Sequence, residues 1–122
     1  MNIDEIMNLL QQTYWADKRS QETVEKSIRN SQCYGVYLED HNILAGFARV
    51  ITDFATTYYL CDVIIDTKYR NNGLGTALIS YIENLPEYQG LRGILITRDA
   101  HGLYKKFGYE TLNDRVMIKG RL

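Results

Sequence analysis

The segment YRNNGLGTALISYI, residues 69–82, places a guanidinium and two glycines, Arg70, Gly73 and Gly75, directly before a helically periodic apolar run. Glycines at such a junction let the backbone take positive φ and come close to a ligand, so that successive N–H groups and a helix N-terminus converge on an anion. Arg70 adds a planar fork able to grip the same oxygens through two hydrogen bonds. Leu78 stands where a dinucleotide-binding turn requires Gly or Ala, and no GKS or GKT of a P-loop is present. Two glycines alone are more simply read as a flexible helix start. Their place after a buried central strand, where ligands of α/β sheets bind, turns the reading toward a ligand.

Further candidates are scattered. Asp62 interrupts the apolar run YYLCDVII, and a carboxylate there is costly unless it is paired or put to use. It is read either as a structural ion pair with Arg49 or as a weak general base. On periodicity alone Tyr104 is one more member of an Ala100, Leu103 and Phe107 stripe. Trp15, Arg19 and Arg49 are candidates for a substrate pocket, with core packing and surface ion pairs as the plainer reading. His101 suits a surface or cap position and His41 a solvated turn, so neither is given a catalytic role. Cys33 and Cys61 fall in strand-like segments without CxxC or Cys/His spacing, which fits buried thiols and no metal.

These residues need elements to hold them. Ile3, Ile6, Met7, Leu10 and Tyr14 recur at helical spacing, and Ser20 is placed to cap a second helix ending near Asn30. CYGVYLE and ILAGFARVIT, parted by EDHN, read as a hairpin, and TTYYLCDVII as a central strand apolar on both faces. Leu74, Ala77, Leu78, Tyr81, Ile82 and Leu85 mark a third helix, which Pro86, the only proline, ends. GILIT is a short buried strand. Asp99 is placed to cap a short helix closed by Gly108, and YETL and VMIKG around NDR read as two last strands. The sum is a mixed α/β layer structure in one domain over residues 1–122.

VIIDTKYRNNGLGTALI resembles the acyl-CoA-binding segment of the GNAT N-acetyltransferase superfamily: Arg or Gln, two residues, Gly, one residue, then Gly or Ala. Arg70, Gly73 and Gly75 match it position by position. ITRDAHGLYKKFGYE resembles the family's next signature, and the element order matches over nearly the whole chain. With TYWADKRS and GFARVITD, the likeness extends to a bacterial subgroup of small GNAT proteins. The resemblance implies the GNAT fold and direct acetyl transfer from acetyl-CoA to a primary amine of a small molecule or protein, without a metal. It implies cofactor contacts from Arg70, Asn71, Asn72, Gly73, Leu74, Gly75 and Thr76, and backbone contacts from Val63 and Ile65. Tyr104 becomes the acid that protonates the leaving thiolate, and Asp62 the base, directly or through a water. The runner-up is a catalytically weak acyl-CoA sensor on the same fold. One departure is that the family's first strand is missing, which leaves a sheet edge for another chain to cover and makes a homodimer possible.

Composition bounds the rest. Of 122 residues, 45% are hydrophobic and 24% charged, as in an ordinary globular chain. The balance of 14 basic and 15 acidic side chains gives −1, which offers no general attraction to nucleic acid or anionic lipid. No apolar run is long enough to span a bilayer, and the acidic start is unlike a secretion signal, so a cytoplasmic location is expected. Asp53 and Asp62 would suit a cationic amine as acceptor.

Overall fold

The structure is a computed structural model that describes residues 1–40 and 42–120. His41, expected in a solvated turn, lies outside them. Helix α1, Ile3–Leu10, begins where the Asn2 side chain accepts from the N–H groups of Asp4 and Glu5, and it buries Ile6, Leu9 and Leu10. It stops a turn before Tyr14. Thr13 Oγ1 donates to the Leu10 carbonyl at 2.7 Å and accepts the Ala16 N–H at 3.0 Å, so a buried hydroxyl replaces the next helical bonds. Helix α2, Gln21–Arg29, starts as expected on Ser20, whose side chain accepts the Thr23 N–H at 3.2 Å.

Strands β1, Gln32–Leu38, and β2, Ile43–Thr52, form the predicted hairpin, and β3, Thr57–Ile65, pairs antiparallel with β2. The chain then crosses through α3, Leu74–Glu83, to β4, Arg92–Ile94, which runs parallel to β3. Helix α4, His101–Lys105, follows. The sheet order is β1-β2-β3-β4, which puts β3 inside. One face packs Leu78, Ile79 and Ile82 of α3 together with Tyr104 against Ala48, Val50, Tyr58 and Leu60. The other packs α1 and α2 against Leu44, Phe47 and Ile64.

Those two lists reveal a phase change. In an unbroken strand Leu60 and Ile64 would share a face, yet they belong to opposite cores. The register slips between Phe47 and Arg49 of β2, where Asp62 on β3 takes φ 53. This is a β-bulge, which adds a residue, bends the strand and re-aims its side chains.

Strand β4 is shorter than the expected GILIT. It pairs Arg92, Gly93 and Ile94 with Thr57, Tyr58 and Tyr59 and goes no further. At Gly93 a Cβ would lie 2.7 Å from both the Tyr58 and the Tyr109 hydroxyl, so this close approach requires glycine. Asp99 does not cap α4: the cap position is Ala100, and Thr97 Oγ1 accepts its N–H at 3.0 Å.

The two expected last strands do not form. Tyr109 anchors its segment through Glu83, its hydroxyl donating to Oε2 at 3.0 Å. A groove of about 790 Å³ then lies between Arg92–Thr97 and the stretch from Tyr109 to Val116, too open for a ladder. Among the described residues no helix is long and apolar enough to cross a membrane, and no group of His, Cys, Asp and Glu could hold a metal ion.

Candidate active site

The glycine turn takes the conformation its sequence asks for. A 3₁₀ turn, Thr67–Tyr69, capped by Asp66, leads to Asn71 and Gly73, both in the left-handed region at φ 67 and 76. Gly73 is the N-cap of α3 and brings no side-chain cap; the Ala77 N–H makes the first helical bond to its carbonyl at 3.0 Å. The N–H groups of Leu74, Gly75 and Thr76 therefore open ahead of the helix, and a Cβ on Gly73 would meet nothing within 4 Å. Arg70 Nε donates to the Ile65 carbonyl at 3.1 Å, which fixes the guanidinium at the end of β3 and spares its outer nitrogens. Asn72 closes the turn by donating to the Tyr69 carbonyl at 3.2 Å. The arrangement fits a pyrophosphate-sized anion.

The second feature is a fork. Because β3 and β4 stay paired only as far as Tyr59 and Ile94, Leu60–Val63 and Leu95–Thr97 diverge around a cavity of about 630 Å³. Trp15, Arg19, Arg49, Asp62, Val63 and Tyr104 all line it. Residues read separately along the sequence are thus brought to one place. Ile65 and the Arg70–Thr76 turn lie outside the cavity, at the end of the same strand, with Gly75 against Ile65.

Asp62 is 5% exposed and fully engaged. Oδ1 accepts the Trp15 indole N–H at 3.0 Å, and Oδ2 accepts from Arg19 Nη1 at 2.7 Å and Arg49 Nε at 2.9 Å. Arg49 Nη1 also donates to Ser31 Oγ at 3.0 Å. Burial by itself raises the Asp62 pKa, but the two guanidinium groups outweigh it and hold the carboxyl below its ordinary value. Of its two sequence readings, the ion pair with Arg49 is the one seen, enlarged by Arg19 and Trp15. A carboxylate so satisfied is a poor proton acceptor. Tyr104 is buried in the cavity wall; burial, reinforced by the Asp99 and Glu83 charges, pushes its pKa up to about 12.

Several lining residues escaped the sequence reading. Tyr14 carries the Arg98 guanidinium 3.8 Å above its ring and meets Trp15 edge-on at 5.0 Å. Tyr59 and Ile118 add apolar wall. Arg98 lies inside the quoted TRDAHGLY run, but nothing local marked its stacking partner, 84 positions earlier in Tyr14. Asp53, linked in the sequence reading to a cationic acceptor, is an exposed turn former, accepting the N–H groups of Ala55 and Thr56. Cys61 lines the cavity, and burial pushes its thiol up to about 11, which disfavours the thiolate a nucleophile needs.

Comparison with known proteins adds an independent observation. Residues 3–109 match the family model described as the Acetyltransferase (GNAT) family. A Bacillus subtilis (strain 168) protein that carries an acetyltransferase name is 28% identical over 103 residues, 83% of this chain and 69% of its own. The crystal structure of a GNAT-family protein from Xanthomonas campestris pv. campestris superposes with a TM-score of 0.91 at 34% identity, over 99% of this chain and 87% of that one. An aminoglycoside 6'-N-acetyltransferase solved with coenzyme A shares the fold at 24% identity and a TM-score of 0.56, over 66% of this chain and 46% of its own.

Proposed function

The chain belongs to the GNAT acetyltransferase family, and from that premise we propose that it moves an acetyl group from acetyl-CoA to a primary amine of a small molecule or protein by direct attack. The observation that carries the reading is the continuity of the bulged strand: one stretch, Asp62–Ile65, runs from the forked cavity to the anion-binding turn. The Arg70–Thr76 turn would hold the pyrophosphate, with N–H groups from Leu74, Gly75 and Thr76 and the outer nitrogens of Arg70. Val63 and Ile65 would offer backbone groups to the pantetheine arm on the side of β3 that β4 has left, although the Ile65 carbonyl already accepts from Arg70. The coenzyme A complex of an acetyltransferase with this fold supports the choice of donor.

The division of labour follows from the side chains. The oxyanion donor in this reading is a backbone N–H of the bulged Asp62–Ile65 stretch, which would stabilise the carbonyl oxygen as it gains charge. As the amine nitrogen bonds to the acetyl carbon and the carbon–sulfur bond breaks, Tyr104 donates its proton to the sulfur. The amine proton leaves through water, because Asp62 is committed to Trp15, Arg19 and Arg49; its part is to hold those three in place. Residues 1–122 act as one domain, since both cores share one sheet. The proposed assembly is a homodimer: among the described residues β1 has a neighbour on one side only, and Val116–Ile118 is an exposed apolar run.

Release of free thiol on mixing the protein with acetyl-CoA and a panel of primary amines tests the reading. Amine-dependent release at a steady rate is expected. Acetyl-CoA binding with no release for any amine class would favour the sensor and overturn the enzyme.

A further inference from the structure

Charge around the cavity is unevenly matched. Three guanidinium groups, Arg19, Arg49 and Arg98, face it against two carboxylates, Asp62 and Asp99. Asp62 is already saturated, which leaves Asp99 as the one lining carboxylate open to a cationic acceptor among the described residues, against the free donors of Arg19 and Arg98. Arg19 spends only Nη1 on Asp62. Arg98 makes no ion pair among the described residues; its Cζ sits 3.8 Å from the Tyr14 ring centroid, and a cation held over a ring keeps its N–H donors for other partners. A continuous set of contacts, Arg98 on Tyr14, Tyr14 on Trp15, Trp15 and Arg19 on Asp62, fixes both cations on one wall.

We propose that the acceptor is an amine bearing an anionic group, carboxylate or phosphate, which Arg98 and Arg19 grip while the amine points toward Val63 and Tyr104. This rests on the reading of the cavity as the acceptor site. It replaces the cationic amine that Asp53 and Asp62 suggested in the sequence. Planar forks suit either oxyanion through paired hydrogen bonds.

Trp15 is the only tryptophan in the chain, so its fluorescence reports occupancy without turnover. The test titrates N-acetylglycine against N-acetylglycinamide for carboxylate, O-phosphoethanolamine against ethanolamine for phosphate, and putrescine for a cation. The anionic member of at least one pair should saturate at a concentration at least about tenfold lower than its mate without the anionic group. Arg98→Gln should erase that difference and Arg98→Lys should keep part of it. Equal binding of the mates without the anionic group, tighter binding of putrescine, no response to either anion, or an unaltered preference in Arg98→Gln would overturn the proposal. Acetyl-CoA is left out of these titrations. Failure of the transferase reading, seen as no acetyl-CoA binding, is therefore a separate result from loss of the anion preference.

Discussion

Two side chains in one cavity face opposite demands. In the proposed reaction Tyr104 keeps a proton until a thiolate needs it, and burial favours this by making the phenolate costly, which pushes its pKa up to about 12. Removing that hydroxyl in Tyr104→Phe is expected to lower amine-dependent kcat by about 100-fold while the acetyl-CoA Kd changes by less than about twofold. A sensor would lose nothing measurable by either readout. Asp62 must stay ionised between two arginines. Asp62→Asn keeps an oxygen for Trp15 but strands Arg19 and Arg49 without their countercharge, at a cost of about 3 kcal/mol in urea unfolding. Since its folded pKa is lowered, the stability Asp62 supplies is present above its unfolded value of about 4 and is lost as pH falls through the folded one. The gap between wild type and Asp62→Asn should therefore narrow below about pH 4; a gap that widens there would contradict the ion-pair account.

At the scale of elements, the site depends on where pairing stops. Gly93 lets β4 press against Tyr58 and Tyr109 before the strands part. Gly93→Ala is expected to overpack that contact and lower stability by about 1–3 kcal/mol in urea unfolding, with the Tyr58 and Tyr109 hydroxyls displaced from Glu83. An unchanged midpoint would show that the approach is not tight. What the sequence made legible was local: the Ser20 cap, the hairpin and the turn from Arg70 to Thr76 are each written within a few adjacent residues. The bulge was hidden, because YYLCDVII is apolar on both faces and shows no alternation for a phase change to interrupt. The cost of Asp62 in an apolar run signalled a partner, and Arg49 on the preceding strand was legible as that partner, whereas Trp15 and Arg19, 47 and 43 positions away, lie beyond any local pattern. The last two strands were misread for the converse reason. Their residues have strand character, but strand formation also needs a ladder partner, and β4 pairs only with β3.

For the whole molecule, the free edge of β1 and the exposed Val116–Ile118 run, with Met117 95% exposed, make a prediction about assembly. Sedimentation is expected to give the mass of a dimer in the micromolar range, and Met117→Glu to shift it toward monomer; a monomer at every concentration would sink the dimer. The central claim is that a bulged strand delivers acetyl-CoA from the Gly73 turn into the forked cavity, and calorimetry tests it most directly. Acetyl-CoA and S-acetylpantetheine, which lacks the pyrophosphate, would be titrated into wild type and Gly73→Asp. At φ 76 the substitution adds backbone strain and a negative charge where the space is otherwise open. The account predicts that wild type binds acetyl-CoA, binds S-acetylpantetheine at least about tenfold more weakly, and loses acetyl-CoA binding in Gly73→Asp. Wild type that fails to bind acetyl-CoA, or binds it equally well with Asp at position 73, would contradict it.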